Sequence, residues 1–306
     1  MIKTENNNRC NICGGKNLKI IGPTLGGFYN RCLDCGVEIR ISSPDSNIEI
    51  DFESSQKTCY TESDQLESPT LSVFQRNAAQ ERMKLVKKFL VSGQILEIGP
   101  GGGEFMLEAK EAGIEVVGVE HSPVATQRLR DILGLSVECG AFEDFNFEDK
   151  FDAIVNMHVI EHVIDPALHL RNARRALKKN GLLFLGTPNL NSWSRAVAGK
   201  KWQGYTPAHQ HLFGFESMRK LLADDWEIIN FSTIEAWENW PWTLLSMTRS
   251  VQTERSLNQG GKVSKSLPTG LLKAANYLIR PATWPYRKIQ EAMLGGSELI
   301  VIAKPR

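Results

Sequence analysis

A glycine-rich turn between an apolar segment and a helix is the clearest chemical signal in the chain. Residues 95–105 read Ile-Leu-Glu-Ile-Gly-Pro-Gly-Gly-Gly-Glu-Phe, an order typical of loops that bind nucleotides. Three glycines permit backbone conformations that other residues avoid: Gly99, Gly101 and Gly103. The spacing departs from the dinucleotide and phosphate-loop motifs, because Glu104 replaces the third glycine of the former and no Lys-Ser/Thr pair follows. Glu97 would repel a pyrophosphate but suits a ligand that carries an amine and a sulfonium.

A second acid closes the next predicted strand. Residues 116–120 read Val-Val-Gly-Val-Glu, and in a doubly wound sheet Glu120 lies at the carboxyl edge, beside the glycine turn. Its carboxylate can accept hydrogen bonds from two ribose hydroxyls there. The block 151–166, Phe-Asp-Ala-Ile-Val-Asn-Met-His-Val-Ile-Glu-His-Val-Ile-Asp-Pro, predicts a fourth strand that ends at the same edge.

These segments, together with 177–189 and 211–218, resemble the class I S-adenosylmethionine (SAM) methyltransferases over residues 90–235 and the last strand. The resemblance implies that Glu97 and the glycine turn hold the methionine end of SAM. It implies further cofactor contacts from five residues: His121, Ala141, Phe142, Asn156 and Met157. Family members often carry Asp in place of Ala141, so the adenine contacts are expected from backbone groups and Phe142. Tyr60 is expected either to close over the ligands, as N-terminal aromatic residues do in sugar-modifying members, or to pack as a surface tyrosine.

Five side chains near the predicted strand ends could remove a proton from an acceptor: His158, Glu161, His162, His209 and His211. Methyl transfer from a sulfonium is an in-line displacement that needs no covalent catalyst. A sugar hydroxyl is a poor nucleophile, however, and a general base that takes its proton contributes about 10²–10⁴-fold. Histidine suits this role near neutral pH, and His158 and His211 rank first. Glu161 and His162 could instead cap or orient the following helix.

Four cysteines form two knuckles with the spacing C-x₂-C-x₁₈-C-x₂-C: Cys10, Cys13, Cys32 and Cys35. Four thiolates in a tetrahedron suit a structural Zn²⁺ and leave no position for substrate or water. A loop-rich segment of this size cannot bury a core by itself. We therefore expect zinc to hold the module folded, so that removal of the metal unfolds it.

Alternating strand and helix signals predict an α/β protein built on a Rossmann-like, doubly wound seven-stranded sheet whose last strand is antiparallel. An α-helical insertion is expected before that strand. The helix after Asp165 is predicted to end at 180–181, before a fifth strand at 182–186. The predicted boundaries are a zinc ribbon at 1–45, a linker and lead-in helix at 46–93, a SAM-binding core at 94–235, the insertion at 236–296 and the final strand at 297–306.

Composition limits the partners. The net charge of +1 gives no overall attraction to nucleic acid. Residues 1–9 lack the apolar region of a signal peptide and no apolar run approaches bilayer length, so a cytoplasmic protein is expected. Residues 237–294 combine aromatic and basic side chains, which suits either a cap packed on the sheet or peripheral contact with the inner face of a membrane. The sequence does not indicate an oligomeric state.

The favoured function is SAM-dependent methyl transfer to a hydroxyl of a small molecule, with a nucleotide-linked or lipid-linked sugar or glycan of cell-surface polysaccharide biosynthesis as the acceptor. Zinc ribbons accompany methyltransferase domains in such sugar enzymes and in ribosomal RNA base methyltransferases, and the segments 158–162, 186–189 and 211–215 resemble the former. Three alternatives stay open at this point: methylation at a sugar carbon, methylation of an RNA base, and a binding protein that kept the fold without the reaction.

Overall fold

The computed structural model describes residues 9–41, 73–90, 92–235, 247 and 284–306. The chain divides into two compact units. Of the described residues, the first unit contains 9–41, 187–221, 231–235, 247 and 284–300, and the second contains 73–90, 92–186, 222–230 and 301–306. The domain boundaries predicted from the sequence stay predictions.

Eleven strands and seven α-helices lie in the described part of the chain. The strands are β1 (Leu18–Thr24), β2 (Gly27–Cys32), β3 (Glu38–Ile41), β4 (Gln94–Ile98), β5 (Glu115–Glu120), β6 (Val137–Cys139), β7 (Phe151–Met157), β8 (Leu177–Pro188), β9 (His211–Leu212), β10 (Trp226–Ile234) and β11 (Glu298–Pro305). The helices are α1 (Val73–Lys87), α2 (Glu104–Glu111), α3 (Pro123–Asp131), α4 (Pro166–Ala176), α5 (Trp193–Ala198), α6 (Phe215–Leu222) and α7 (Trp284–Ala292).

The predicted seven-stranded sheet is confirmed. Its strand order is β10-β11-β8-β7-β4-β5-β6, and the last strand of the chain, β11, is antiparallel. β4 pairs in parallel with β5 on one side and with β7 on the other. The chain therefore leaves β4 toward β6, returns to β7, and creates between β4 and β7 the switch point at which doubly wound sheets bind ligands.

Side-chain hydrogen bonds cap the first turns of helices α3 and α4. The Ser122 hydroxyl accepts from the N–H of Ala125 at 3.3 Å, and the Asp165 carboxylate accepts from the N–H of Leu168 at 2.9 Å. In both helices a proline follows the cap, where a missing N–H costs nothing. The Ser122 cap fixes α3 directly after β5, and the Asp165 cap fixes α4 after the loop that follows β7.

The predicted end of helix α4 is wrong. The helix ends at Ala176 rather than at 180–181, and β8 already begins at Leu177, which pairs with Phe151. Leu177 is buried, and the ammonium of the following Lys178 bonds the Asp152 carboxylate at 2.8 Å. Burial of the leucine and this ion pair favour the extended strand over another helical turn.

The interior of the main sheet is apolar on its central strands. Side chains of β4, β7 and β8 are fully buried, among them Ile95, Leu96, Ile154, Val155 and Phe184. Burial of one such side chain stabilises the fold by about 1.5–3 kcal/mol. The ends of these well-packed strands carry the predicted site residues, so the core fixes the position of the site.

The first unit contains a smaller sheet with the order β1-β2-β3-β9. β9 comes from a distant part of the chain and pairs with β3, so that Ile39 lies opposite His211. The buried Glu38 carboxylate accepts the Tyr205 hydroxyl at 2.6 Å and an Arg195 N–H at 3.2 Å. The cysteine-containing segment is therefore built together with residues 195–212, a pairing that the sequence analysis did not predict.

Part of the predicted organisation falls outside the described residues. Tyr60 lies there, as does most of the insertion at 236–296. Among the residues that the structure describes, no helix is long and apolar enough to cross a membrane. The predicted membrane contact through residues 237–294 stays a prediction.

Candidate active site and cysteine cluster

The glycine turn adopts the backbone conformations predicted for it. Gly99, Gly101 and Gly103 have φ angles of 67°, 53° and 85°. A Cβ on Gly99 would lie 2.7 Å from Val159, and one on Gly103 would lie 2.5 Å from Leu129. A Cβ on Gly101 would meet no described atom within 4 Å. The outer two glycines are therefore required by packing, whereas the middle one leaves open space in front of the loop.

Glu97 is a buried acid at the end of β4. Its side chain is 6% exposed, and burial raises its pKa to about 8, with a smaller increase from Glu104 and Glu120 and an opposing effect of Arg82. Its Oε2 atom has no hydrogen-bonding partner among the described residues. A buried carboxylate oxygen without a donor costs free energy, and a cationic amine would satisfy it. Glu97 thus fits the amine end of SAM.

Glu120 joins the end of β5 to the glycine turn. One carboxylate oxygen accepts the N–H of Ser122 at 2.8 Å, and the other accepts the N–H of Gly101 at 3.2 Å. Burial raises the pKa of Glu120, while these backbone donors oppose the increase. Each carboxylate oxygen has a second lone pair. The residue is therefore held in place and keeps the capacity to accept two ribose hydroxyls.

The predicted adenine loop follows β6. Ala141 leads into a single 3-10 turn over Phe142–Asp144. The Phe142 ring is 5% exposed and packs edge-on against His169 at 5.3 Å, whereas His121 is exposed after β5. Phe142 is thus anchored in the core of the second unit, and its role in adenine binding stays a prediction.

A buried hydrogen-bonded chain supports this loop. The Nδ1 atom of His169 bonds the Glu143 carboxylate at 2.6 Å, and its Nε2 atom bonds the Asn156 amide nitrogen at 2.5 Å. Burial alone would raise the pKa of Glu143, but the contact with His169 holds it below its usual value. The chain connects the loop, helix α4 and the end of β7. Sequence analysis missed His169, although a histidine on the apolar face of α4 was a usable signal.

His158 stands directly after β7 in a strained conformation. Its φ is 58°, rare for a residue other than glycine, and its N–H bonds the carbonyl of Gly186 at 2.8 Å. Its Nδ1 atom lies 3.3 Å from the Glu161 carboxylate. The imidazole is 41% exposed, whereas Glu161 is fully buried. An exposed base backed by a buried carboxylate is the geometry of an oriented general base.

The other predicted site residues are divided between the two units. Met157 ends β7 and is mostly buried, and the N–H of His162 bonds the Val159 carbonyl at 2.8 Å, both in the second unit. In the first unit, His209 donates through Nδ1 to the Gly204 carbonyl at 2.8 Å, and His211 is 2% exposed in β9. The structure brings His158 and Glu161 together. The convergence of the two histidine segments stays a prediction.

The four cysteines form one cluster, with all ligand atoms within 4.8 Å of one another. The Sγ atoms of Cys10 and Cys35 are 3.7 Å apart, and those of Cys13 and Cys32 are 3.6 Å apart. Zinc–sulfur bonds of about 2.3 Å in a tetrahedron place the sulfurs about 3.8 Å apart, whereas a disulfide requires about 2.05 Å. The donors therefore fit a tetrahedral metal ion.

The two knuckles share one backbone design. The N–H of Gly14 bonds the Cys10 carbonyl, and the N–H of Gly36 bonds the Cys32 carbonyl, both at 2.8 Å. The two glycines have φ angles of 72° and 81°, which favour glycine. Within the cluster, hydrogen bonding from Cys35 lowers the pKa of Cys10 to about 5, whereas burial raises the pKa of Cys13 and the hydrogen bond with Cys10 raises the pKa of Cys35. Metal binding would therefore have to release protons from the other thiols, because only thiolates ligate metals.

Comparison with known proteins places this geometry in a family. Residues 72–236 match a family model described as a methyltransferase domain. The ubiquinone biosynthesis O-methyltransferase of Cereibacter sphaeroides is 33% identical over 120 residues, which cover 36% of this chain and 47% of that protein. The enzyme of the same name from Bradyrhizobium diazoefficiens is 30% identical over 116 residues, covering 36% and 46%. The chain spans about half the length of these curated relatives.

A solved SAM-dependent methyltransferase from Archaeoglobus fulgidus is 16% identical, with a TM-score of 0.49 over 76% of this chain and 94% of that one. The family assignment rests on the model match, which includes the glycine turn, Glu120 and the His158 segment. Since that match extends over more than half of the chain, the protein belongs to the methyltransferase domain family.

Proposed function

We propose that the protein is a SAM-dependent methyltransferase that methylates a hydroxyl of a small molecule. The observation that carries the proposal is the exposed His158 imidazole backed by the buried Glu161, one residue beyond β7. β7 is the neighbour of β4, which leads into the glycine turn. A base at this position can act on an acceptor beside the proposed cofactor site.

Three groups of the second unit would hold the cofactor. Glu97 would pair with its amine, Glu120 would accept the ribose hydroxyls, and Gly101 would leave room for close approach of the ligand. The chemistry that SAM supplies when bound is a methyl group on a positively charged sulfur, open to in-line displacement. The buried Oε2 atom of Glu97, which has no hydrogen-bonding partner among the described residues, supports this assignment because an amine could donate a hydrogen bond to it.

His158 would take the proton of the acceptor. Its Nδ1 atom lies 3.3 Å from the Glu161 carboxylate. In the proposed tautomer Nδ1 carries a proton toward that carboxylate, and Nε2 accepts the proton of the acceptor. When the acceptor hydroxyl is methylated it must lose its proton, and Nε2 of His158 would take up that proton. Glu161 then stabilises the imidazolium.

A nucleotide-linked or lipid-linked sugar or glycan is the proposed acceptor, with a role in cell-surface polysaccharide biosynthesis. It is supported by the sequence resemblance and by the cysteine cluster. A phenol of quinone biosynthesis is the second candidate, because the relatives named above carry ubiquinone biosynthesis in their names. A phenol with a pKa of about 10 ionises far more easily than a sugar hydroxyl and depends less on a base.

Labelled SAM with panels of nucleotide-sugars, lipid-linked glycans and phenols tests the proposal. The informative variant is His158→Asn, because asparagine tolerates the positive φ at this position while it removes the imidazole. Turnover on a sugar should fall about 10²–10⁴-fold, with SAM affinity unchanged. Full turnover of a sugar by His158→Asn would refute the general-base mechanism.

We also infer that the four cysteines bind one structural Zn²⁺. Their sulfur spacing supports this assignment, and four protein ligands leave no site for a reacting molecule. The metal would stabilise the cysteine-containing segment of the first unit. Metal analysis of the purified chain should give one zinc per protein, and a Cys13→Ala variant should lose it.

A further inference from the structure

One of the two cysteine knuckles contacts a buried histidine that lies 200 residues away in the sequence. Asn11 stands between the ligands Cys10 and Cys13, and its amide nitrogen lies 2.9 Å from Nε2 of His211. Both residues belong to the first unit. The contact joins the cysteine cluster to the segment in which the sequence analysis placed two candidate bases.

Strand pairing and ring stacking also fix the position of His211. In β9 it lies opposite Ile39 of β3, and its ring stacks on Phe213 at 5.8 Å with 17° between the planes. The side chain is 2% exposed. What the hydrogen bond from Asn11 adds is control of the proton position on the ring, because a nitrogen that accepts a bond cannot carry the proton.

The position of Asn11 depends on the shape of the knuckle. The Cys10 carbonyl accepts the N–H of Gly14 at 2.8 Å, and the Cys10 sulfur accepts the N–H of Ile12 at 3.4 Å. These bonds wrap the chain around the Cys10 sulfur, and Asn11 lies within that turn. A metal ion that holds the sulfurs of Cys10 and Cys13 would fix the turn and, with it, the Asn11 amide.

We propose that Asn11 is a positioning residue through which the metal-bound knuckle fixes His211 as the tautomer with its proton on Nδ1. The zinc site then has a function beyond holding its own module, since it sets the chemical state of a histidine outside the cysteine motif. The proposal rests on the inferred zinc site and is independent of the identity of the acceptor.

The two candidate general bases, His158 and His211, differ in the access of an acceptor to a ring nitrogen. His211 is almost fully buried and its Nε2 lone pair is engaged by Asn11. His158 is 41% exposed and faces a carboxylate through Nδ1. Proton transfer to an acceptor requires access to a lone pair. The geometry therefore assigns the base to His158 and an anchoring role to His211.

Nitrogen-resolved NMR of the full, zinc-loaded chain with ¹⁵N-labelled histidine tests this directly. His211 should show a protonated Nδ1 and an unprotonated Nε2. Asn11→Asp should place a proton on Nε2, because a carboxylate can only accept a hydrogen bond from that nitrogen. Asn11→Ala should leave a mixture of the two tautomers. The matched control is Asn17→Ala, which removes the 2.8 Å bond to Asp34 in the same module and should leave the His211 signals unchanged.

Zinc affinity is a second measurement, which tests the proposal if the Asn11 variants fold too poorly for NMR. By reciprocity, the contact with His211 should stabilise the metal-bound knuckle. In competition with a chelator, the zinc affinity of His211→Phe should therefore be about twofold to tenfold lower than that of the wild type. This is the effect expected from the loss of one hydrogen bond. Asn17→Ala should hold zinc as the wild type does. Wild-type zinc affinity in His211→Phe, or an unchanged His211 tautomer in Asn11→Asp, would overturn the proposal. Neither readout uses SAM or an acceptor, so failure of the proposed reaction would leave the result intact.

Discussion

Cofactor binding should release a proton from Glu97. Burial raises the pKa of this acid to about 8, against the effect of Arg82. At pH 7 a group with that pKa is about nine-tenths protonated, whereas pairing with a cationic amine requires the carboxylate. The amine of SAM resembles an α-amino group with a pKa of about 7.8 and takes up about 0.1 proton at pH 7. Net release should be about 0.8 proton for each SAM bound.

Isothermal titration calorimetry in two buffers of different ionisation enthalpy measures this release. The observed heat should differ between the buffers by about 0.8 times the difference in their ionisation enthalpies, and the apparent Kd should fall almost tenfold from pH 6 to pH 7. Glu97→Gln should bind SAM more weakly and release no proton. Equal heats in both buffers for the wild type, with SAM bound, would refute the assignment of Glu97 to the amine.

The raised pKa of Glu97 also determines how the stability of the protein without ligand changes with pH. An acid whose folded pKa lies above its unfolded value retains its proton longer in the folded state. The contribution of Glu97 to stability without ligand is therefore full below about pH 4.3 and is lost as the pH rises to about 8. SAM should oppose this loss.

Three further predictions concern the loop, the buried histidine and the metal. Gly101→Ala and Gly113→Ala each add a methyl group at positive φ with no described atom within 4 Å. Each should lower the free energy of unfolding, measured by thermal denaturation, by about 1 kcal/mol. Only Gly101→Ala should weaken SAM binding in calorimetry. His169→Phe should raise KM for SAM while kcat at saturating SAM changes little, and His169→Gln should restore part of the affinity, because the buried chain through Glu143 positions the adenine loop. Chelation of zinc should abolish the near-ultraviolet circular dichroism of the aromatic cluster around Tyr29 and Trp202.

Each of these has a clear contrary result. Equal SAM affinity in the two glycine variants would show that the open space at Gly101 does not face the cofactor. A fall in kcat with unchanged KM in His169→Phe would place that residue in the reaction instead of the cofactor site. An unchanged dichroism signal in a chain shown to be free of metal would mean that the first unit folds without zinc.

The parts of the site that the sequence predicted are those encoded by local patterns. The positive φ angles of the glycine turn, the strand end at Glu120 and the helix start after Asp165 each depend on a few neighbouring residues. Propensity and spacing are sufficient for such features.

The parts that the sequence did not predict depend on contacts between distant segments. The positive charge of Arg82 in helix α1 opposes the increase that burial causes in the pKa of Glu97, and His169 hydrogen-bonds both Glu143 and Asn156. The bond from Asn11 to His211 requires the pairing of β3 with β9. Periodicity within one element carries no information on these partners, so the early start of β8 was missed for the same reason.

The most direct test of the central claim is the fate of a labelled methyl group. The full, zinc-loaded chain is incubated with [methyl-¹³C]SAM and the first acceptor found in the panels, and the product is examined by ¹³C NMR. The account predicts a methyl carbon bonded to oxygen, formed at least about a hundredfold more slowly by His158→Asn. A methyl group bonded to carbon or nitrogen, or formation of the O-methyl product at the wild-type rate by that variant, would contradict it.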